Sequence, residues 1–128
     1  MNKILQGIAA ASLGAATTDQ AGTVEARYLF PASFAGFAGH FPDYPILPAV
    51  VQILTAVALV GEVAGCRQRL VAVEDAKFLT PVRPDQELLV RCRPRTVKGK
   101  LLYDAQLTVG EFTASSLLLQ LANFEEGP

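Results

Sequence analysis

The sequence predicts an α+β domain in which one long apolar helix is wrapped by a curled antiparallel sheet. Three observations carry that expectation. An apolar run at 46–60 follows a proline-rich loop and ends near Gly65, and period-two segments with turn chemistry between them flank it. The length, 128 residues, suits a single domain with one core, 1–128.

The elements follow in order. Residues 1–16 carry one lysine, a weakly apolar run and small residues, so they imitate a secretory leader. Gln6 and Gly7 interrupt the run, and the segment reads instead as a helix or strand packing on the domain. In residues 23–30, Val24, Ala26, Tyr28 and Phe30 alternate with Glu25 and Arg27, as in a half-buried strand. Pro31, Gly36, Gly39, Pro42, Pro45 and Pro48 then exclude any regular element before a helix over 48–65. Pro48 is tolerated in a first turn and Gly65 is a stop. The helix is apolar nearly all round, which predicts that the rest of the chain swallows it. Strands are expected near 70–79, 87–94, 101–109 and 112–121. Arg91, Arg93 and Arg95 share one face of the second of these, with Val90 and Cys92 opposite. Val97-Lys98-Gly99-Lys100 and Val109-Gly110-Glu111 are turn-like, so the last three strands should be antiparallel hairpin neighbours.

Composition narrows the function. Just over half the residues are apolar (51%), and 18% are charged with a net charge of −1, so the chain lacks the basic excess of a dedicated nucleic-acid binder. One histidine and two cysteines without metal-ligand spacing predict no metal. Cys66 and Cys92, set in a helix end and a strand, read as reduced thiols of a cytoplasmic protein. The run at 46–60 contains Gln52 and Thr55 and falls short of the roughly 20 residues of a bilayer span, so no membrane partner is expected. Nine of the eleven lysines and arginines fall from Arg67 onward. They form either a docking face for an acidic carrier protein or an ordinary solvated sheet face.

Gly39-His40-Phe41-Pro42-Asp43-Tyr44-Pro45-Ile46-Leu47-Pro48-Ala49-Val50 resembles the loop-to-helix signature of the bacterial 3-hydroxyacyl-acyl-carrier-protein dehydratases, Gly-His-Phe-Pro-Gly-x-Pro-x-Met-Pro-Gly-Val. Lys77-Phe78-Leu79-Thr80-Pro81-Val82-Arg83-Pro84-Asp85 is similar to their Lys-Phe-x-x-Pro-Val-x-Pro-Gly-Asp strand and turn. The resemblance covers about residues 23–121, leaving 1–22 as a divergent N-terminal segment. It implies the hot-dog fold, a homodimer with sheets joined edge to edge, and active sites at the dimer interface. The implied partner is an acyl-carrier-protein or coenzyme A thioester, with no cofactor.

The same resemblance implies roles for individual residues. Dehydration needs a base for the proton beside the thioester carbonyl, and a histidine with a near-neutral pKa serves, here His40. The carbonyl needs fixed donors as enolate charge develops, here the first-turn amides of Ala49 and Val50. Phe41 and Tyr44 are expected in loop packing and the acyl tunnel, and Gln52 matches a polar position of the family. The family's helix carboxylate, however, falls on Leu54. Glu62 lies eight residues further along the helix, about 12 Å of rise and roughly 80° of rotation away. Asp43 reads mainly as turn chemistry. Three readings therefore stand: a dehydratase with an unorthodox acid, a half-site partner of a second hot-dog chain that supplies the carboxylate, or an acyl-thioester-binding or thioesterase-like protein.

Overall fold

In the computed structural model, which describes residues 2–38 and 43–124, two helices pack on one face of a six-stranded antiparallel sheet. The elements are α1 (Lys3–Ala11), β1 (Thr17–Thr18), β2 (Val24–Leu29), α2 (Ala49–Ala64), β3 (Gln68–Phe78), β4 (Glu87–Val97), β5 (Lys100–Val109) and β6 (Phe112–Asn123), with a short 3-10 turn at Ala35–Phe37. The strand order is β1-β2-β4-β5-β6-β3, so β3 forms one edge.

The N-terminal segment is a helix. Asn2 caps it, its side-chain oxygen accepting from the amides of Ile4 at 2.7 Å and Leu5 at 3.4 Å. Gly7, an interruption in the sequence pattern, is where α1 lies against the ring of Phe34, and a Cβ there would collide with that ring. The two hairpins form as expected. Lys98 and Gly99, both at positive φ (51° and 80°), make a two-residue turn between the paired Val97 and Lys100. Gly110, with φ 57°, turns β5 into β6.

β4 runs three residues beyond its expected end at Pro94. The pairing explains why. Counting back from the hairpin pair Val97–Lys100, Pro94 opposes Tyr103 at a non-hydrogen-bonded position, so its nitrogen faces away from β5. On that other side β2 stops pairing at Val24–Cys92, and Pro94 withholds no ladder bond.

The core lies between α2 and the concave face of the sheet. Val51, Ala56, Leu59 and Val60 meet Leu88, Val90, Cys92, Ala105, Leu107, Leu117 and Leu119, all buried. Burying Leu59 completely contributes about 2 kcal/mol on transfer grounds. The expectation that the chain swallows its greasy helix on every side is corrected here. Val50 is 60% exposed and Val63 39%, while Ile53, Leu54 and Ala58 are only half-buried. One sheet can cover only part of a helix's circumference, and the nine-residue α1 covers only part of the rest. Among the described residues, no helix is long and apolar enough to cross a membrane.

Candidate active site

The segment leading into α2 is held extended and then anchored. Pro48 has φ −60° and ψ 150°, and the amide of Leu47 donates to the Val82 carbonyl at 2.7 Å, tying the helix entrance to the turn after β3. The carbonyl of Pro48 accepts from the amides of Val51 (3.0 Å) and Gln52 (3.2 Å), opening the helix. Pro48 has no side chain that can cap, and the first turn carries no acid. The amides of Ala49 and Val50 therefore have no acceptor among the described residues, as the first turn of a helix dictates when nothing caps it. Both residues are exposed, so an incoming group can reach those donors.

Gln52 sits one turn into the helix at 4% exposure. Its side-chain nitrogen donates to the Leu47 carbonyl at 3.3 Å, and its oxygen has no partner among the described residues. Leu47, Pro48, Ala49 and Gln52 line a cavity of about 480 Å³ between the start of α2 and residues 78–81, with Val50 next to it in sequence but not on its wall. The turn after residues 78–81 uses Asp85 at φ 64°, where the resemblance calls for glycine. Aspartate is among the side chains that tolerate that left-handed backbone. The Asp85 amide donates to the Phe30 carbonyl at 2.8 Å.

The other expected residues separate. His40 and Phe41 lie outside the described residues. Tyr44 is 48% exposed, with the Arg83 guanidinium stacked 3.7 Å from its ring centre, and does not line this cavity. Asp43 is exposed. Leu54 faces a different cavity, of about 410 Å³, between α1, α2 and the start of β3. Glu62, distant along the helix, lines that same cavity, and its carboxylate accepts from the Ala16 amide at 3.0 Å.

Sequence reasoning gave Tyr28 no role beyond an inward-facing strand residue. It lines the second cavity from β2, is 3% exposed, and has no hydrogen-bond partner among the described residues. Burial first, then the neighbouring Glu62 and Cys92, push its phenol up to about 12, so it stays protonated at neutral pH. No local sequence signal marks it, because its cavity is assembled from four separate segments.

The arginine face of β4 is counter-charged. Arg91 lies 3.9 Å from Glu25, and Arg93 and Arg95 lie 3.4 Å and 3.6 Å from Asp104. Such exposed pairs contribute about 0–1 kcal/mol each. This arrangement is that of a solvated sheet face.

A single long helix cradled by a curled antiparallel sheet, with an uncapped helix start, defines a hot-dog-fold protein. The chain belongs to the ApeI-like family, described as ApeI dehydratase, whose pattern it matches over residues 16–116. It is similar to the 3-hydroxyacyl-[acyl-carrier-protein] dehydratase FabZ of Alkalilimnicola ehrlichii, 32% identical over 90 residues, covering 62% of this chain and 58% of that one. It is 37% identical over 79 residues to FabZ of Granulibacter bethesdensis, covering 55% and 46% of the two chains. The chain thus spans about half the length of the curated relatives it matches. Among solved structures, the dehydratase heterocomplex ApeI:P from Xenorhabdus doucetiae superposes with a TM-score of 0.74 at 21% identity, over 88% of this chain and 96% of that one. The E. coli PaaI protein gives 0.65 at 12% identity, over 96% and 94%. These likenesses show the fold.

Proposed function

We propose that the chain dehydrates 3-hydroxyacyl thioesters carried on an acyl carrier protein or coenzyme A. The observation that carries this reading is the pair of uncapped amides, Ala49 and Val50, at the helix start that follows the His40 motif, with Ala49 and the buried Gln52 lining the adjoining cavity. In this reading the thioester oxygen accepts from the two amides while His40 takes the proton from the carbon beside the carbonyl. Charge that moves onto the oxygen as the proton leaves is met by donors already fixed in place. Departure of the hydroxyl as water then needs a proton. The names of the FabZ relatives support the carrier-protein substrate.

The chain is expected to act as a dimer. Its β3 edge is unpaired among the described residues and presents Val71, Val73 and Phe78, each more than two-fifths exposed, to a partner sheet. The free thiols of Cys66 and Cys92 support a reducing, cytoplasmic setting.

A second reading has a specific observation behind it. Leu54, where the family resemblance calls for a carboxylate, faces a mostly apolar cavity, and a solved neighbour is a heterocomplex of two chains. The protein would then be a half-site subunit whose acid comes from another hot-dog chain. Water loss from 3-hydroxybutyryl-carrier-protein by the purified chain tests both. Turnover abolished in His40→Ala supports the first reading. Turnover only on adding a second hot-dog chain with Glu or Asp at the Leu54 position supports the second, and silence in both cases removes the dehydratase reading.

A further inference from the structure

We propose that the chamber between α1 and α2 is a binding site for a neutral apolar molecule ending in a hydroxyl group, its body against the two helices and its hydroxyl oxygen accepting from the Tyr28 phenol. The site is separate from the helix start, and the proposal goes beyond the dehydratase reading without resting on it.

Leu5 and Ile8 of α1, Leu54 and Val57 of α2 and Leu70 of β3 enclose a cavity of about 410 Å³. Ligand pockets run from about 300 to 1,000 Å³, with mostly apolar walls and a few placed polar groups. Ile8, Tyr28 and Val57, all buried, form the floor, while Glu62 and Arg67 are exposed at the rim. Leu5 and Ile8 precede residue 16, where the match to the family pattern begins, so one wall of the chamber lies outside that pattern.

The polar groups select the occupant. Tyr28 is 3% exposed, and its hydroxyl has no hydrogen-bond partner among the described residues. A buried phenol ordinarily has one, so an acceptor inside the chamber completes the arrangement. Burial first, then Glu62 and Cys92, hold the phenol protonated. The same surroundings oppose a second negative charge at that point, which disfavours a ligand carboxylate. Burial opposes an ammonium as well. Its counter-charge on the wall, Glu62, is exposed and already accepts from the Ala16 amide at 3.0 Å. The Arg67 guanidinium sits over the Phe124 ring, 4.7 Å from its centre, and is not among the groups that shift the phenol. A hydroxyl suits both sides. Its oxygen accepts from Tyr28, and its own proton faces a rim where Glu62 uses one oxygen for Ala16 and leaves the other to accept.

Calorimetric titration of the full chain tests this with 1-hexanol, 1-chlorohexane, hexanoate and hexylamine as probes. Wild type is compared with Tyr28→Phe and Ala58→Leu, each checked for an unchanged unfolding midpoint. Wild type should bind 1-hexanol at one site, with hexanoate and hexylamine weaker by about tenfold or more. Affinity should rise about fourfold per methylene from 1-pentanol to 1-heptanol, as an apolar chamber requires. Tyr28→Phe should weaken 1-hexanol about fivefold, the scale of one hydrogen bond, and leave 1-chlorohexane unchanged. Ala58→Leu, which places a side chain in the chamber, should weaken both. An equal loss of 1-hexanol and 1-chlorohexane in Tyr28→Phe overturns the hydroxyl contact, since the phenol would then matter only for shape. Hexanoate or hexylamine binding as tightly as 1-hexanol overturns the neutral class. Binding untouched by Ala58→Leu places the site elsewhere, and absence of binding by every probe removes it. None of these outcomes touches the dehydratase reading, because no turnover is measured.

Discussion

The two cavities that flank α2 are built from opposite materials. The one at the helix start is lined by the uncapped Ala49 and one buried glutamine, beside a proline-fixed entrance. The one further along is a mostly apolar chamber between α1 and α2, with the Tyr28 phenol, which has no hydrogen-bond partner among the described residues, on its wall. Donors made of backbone survive almost any change of side chain at their positions, and Ala49 stands where the resembled signature has glycine without removing an amide. An acid made of a side chain has no such protection, and a single replacement at position 54 removes it. The first cavity therefore keeps its amide donors in a divergent chain, whereas in the proposed reaction the proton for the leaving hydroxyl has to come from a group other than residue 54.

The sharpest way to test this contrast is at His40, the base in the proposed reaction. His40→Ala should lower turnover by roughly 1000-fold, near the upper part of the range for a lost general base, with the unfolding midpoint unchanged. A loss below tenfold would move the base elsewhere. Next in size is Ala49→Pro. Proline is well tolerated at the first helical position, and Pro48, at ψ 150°, already has the extended backbone that a following proline demands. The substitution removes one amide proton and leaves the Pro48 carbonyl's two helix-opening bonds in place. A fall in kcat of about 100-fold at unchanged stability is expected if that amide holds the developing oxyanion. Unchanged kcat would assign the whole task to other donors.

Both cavities reach the same strand. The first ends on Phe78 and its neighbours, the second on Gln68 and Leu70, so pairing of the β3 edge should influence both. Val73, 41% exposed on that edge, provides the handle. Val73→Asp should shift the chain to a monomer by sedimentation or light scattering and reduce turnover, with little change in the circular dichroism of the fold. A dimer that persists would place the partner on another surface.

How much of this was legible in the sequence differs between the two cavities for a physical reason. The helix start was readable because its ingredients are contiguous: Pro48, then Ala49 and Val50, then Gln52, all within one turn. The hairpins were readable because Lys98-Gly99 and Gly110 carry their turn chemistry locally. The second cavity was not, since Leu5, Tyr28, Leu54 and Gln68 come together only when α1 is laid on α2 and β2 is paired beneath them. Gly7 looked like a break in an apolar run, whereas its missing side chain is what admits the ring of Phe34. The full wrapping expected of α2 failed on the same ground: periodicity shows which side chains are apolar, not how much of the helix a single sheet can reach.

The smallest expected effect tests the apolar character of the second cavity. Ala58 lies one turn after Leu54 on the same wall and is half-buried, so a larger apolar side chain there grows into open space rather than into packed core. Ala58→Leu should change stability by less than about 1.5 kcal/mol, because it fills a void with matching chemistry. If the acyl chain beyond the reacting carbon runs through this chamber, the variant should turn over a four-carbon substrate nearly as wild type does. A long-chain substrate should lose roughly tenfold in kcat/KM, the scale on which one side chain's worth of apolar space discriminates. Equal losses for both lengths would mean that the chamber holds only the reacting end, and no loss for either would separate the chamber from the acyl path altogether.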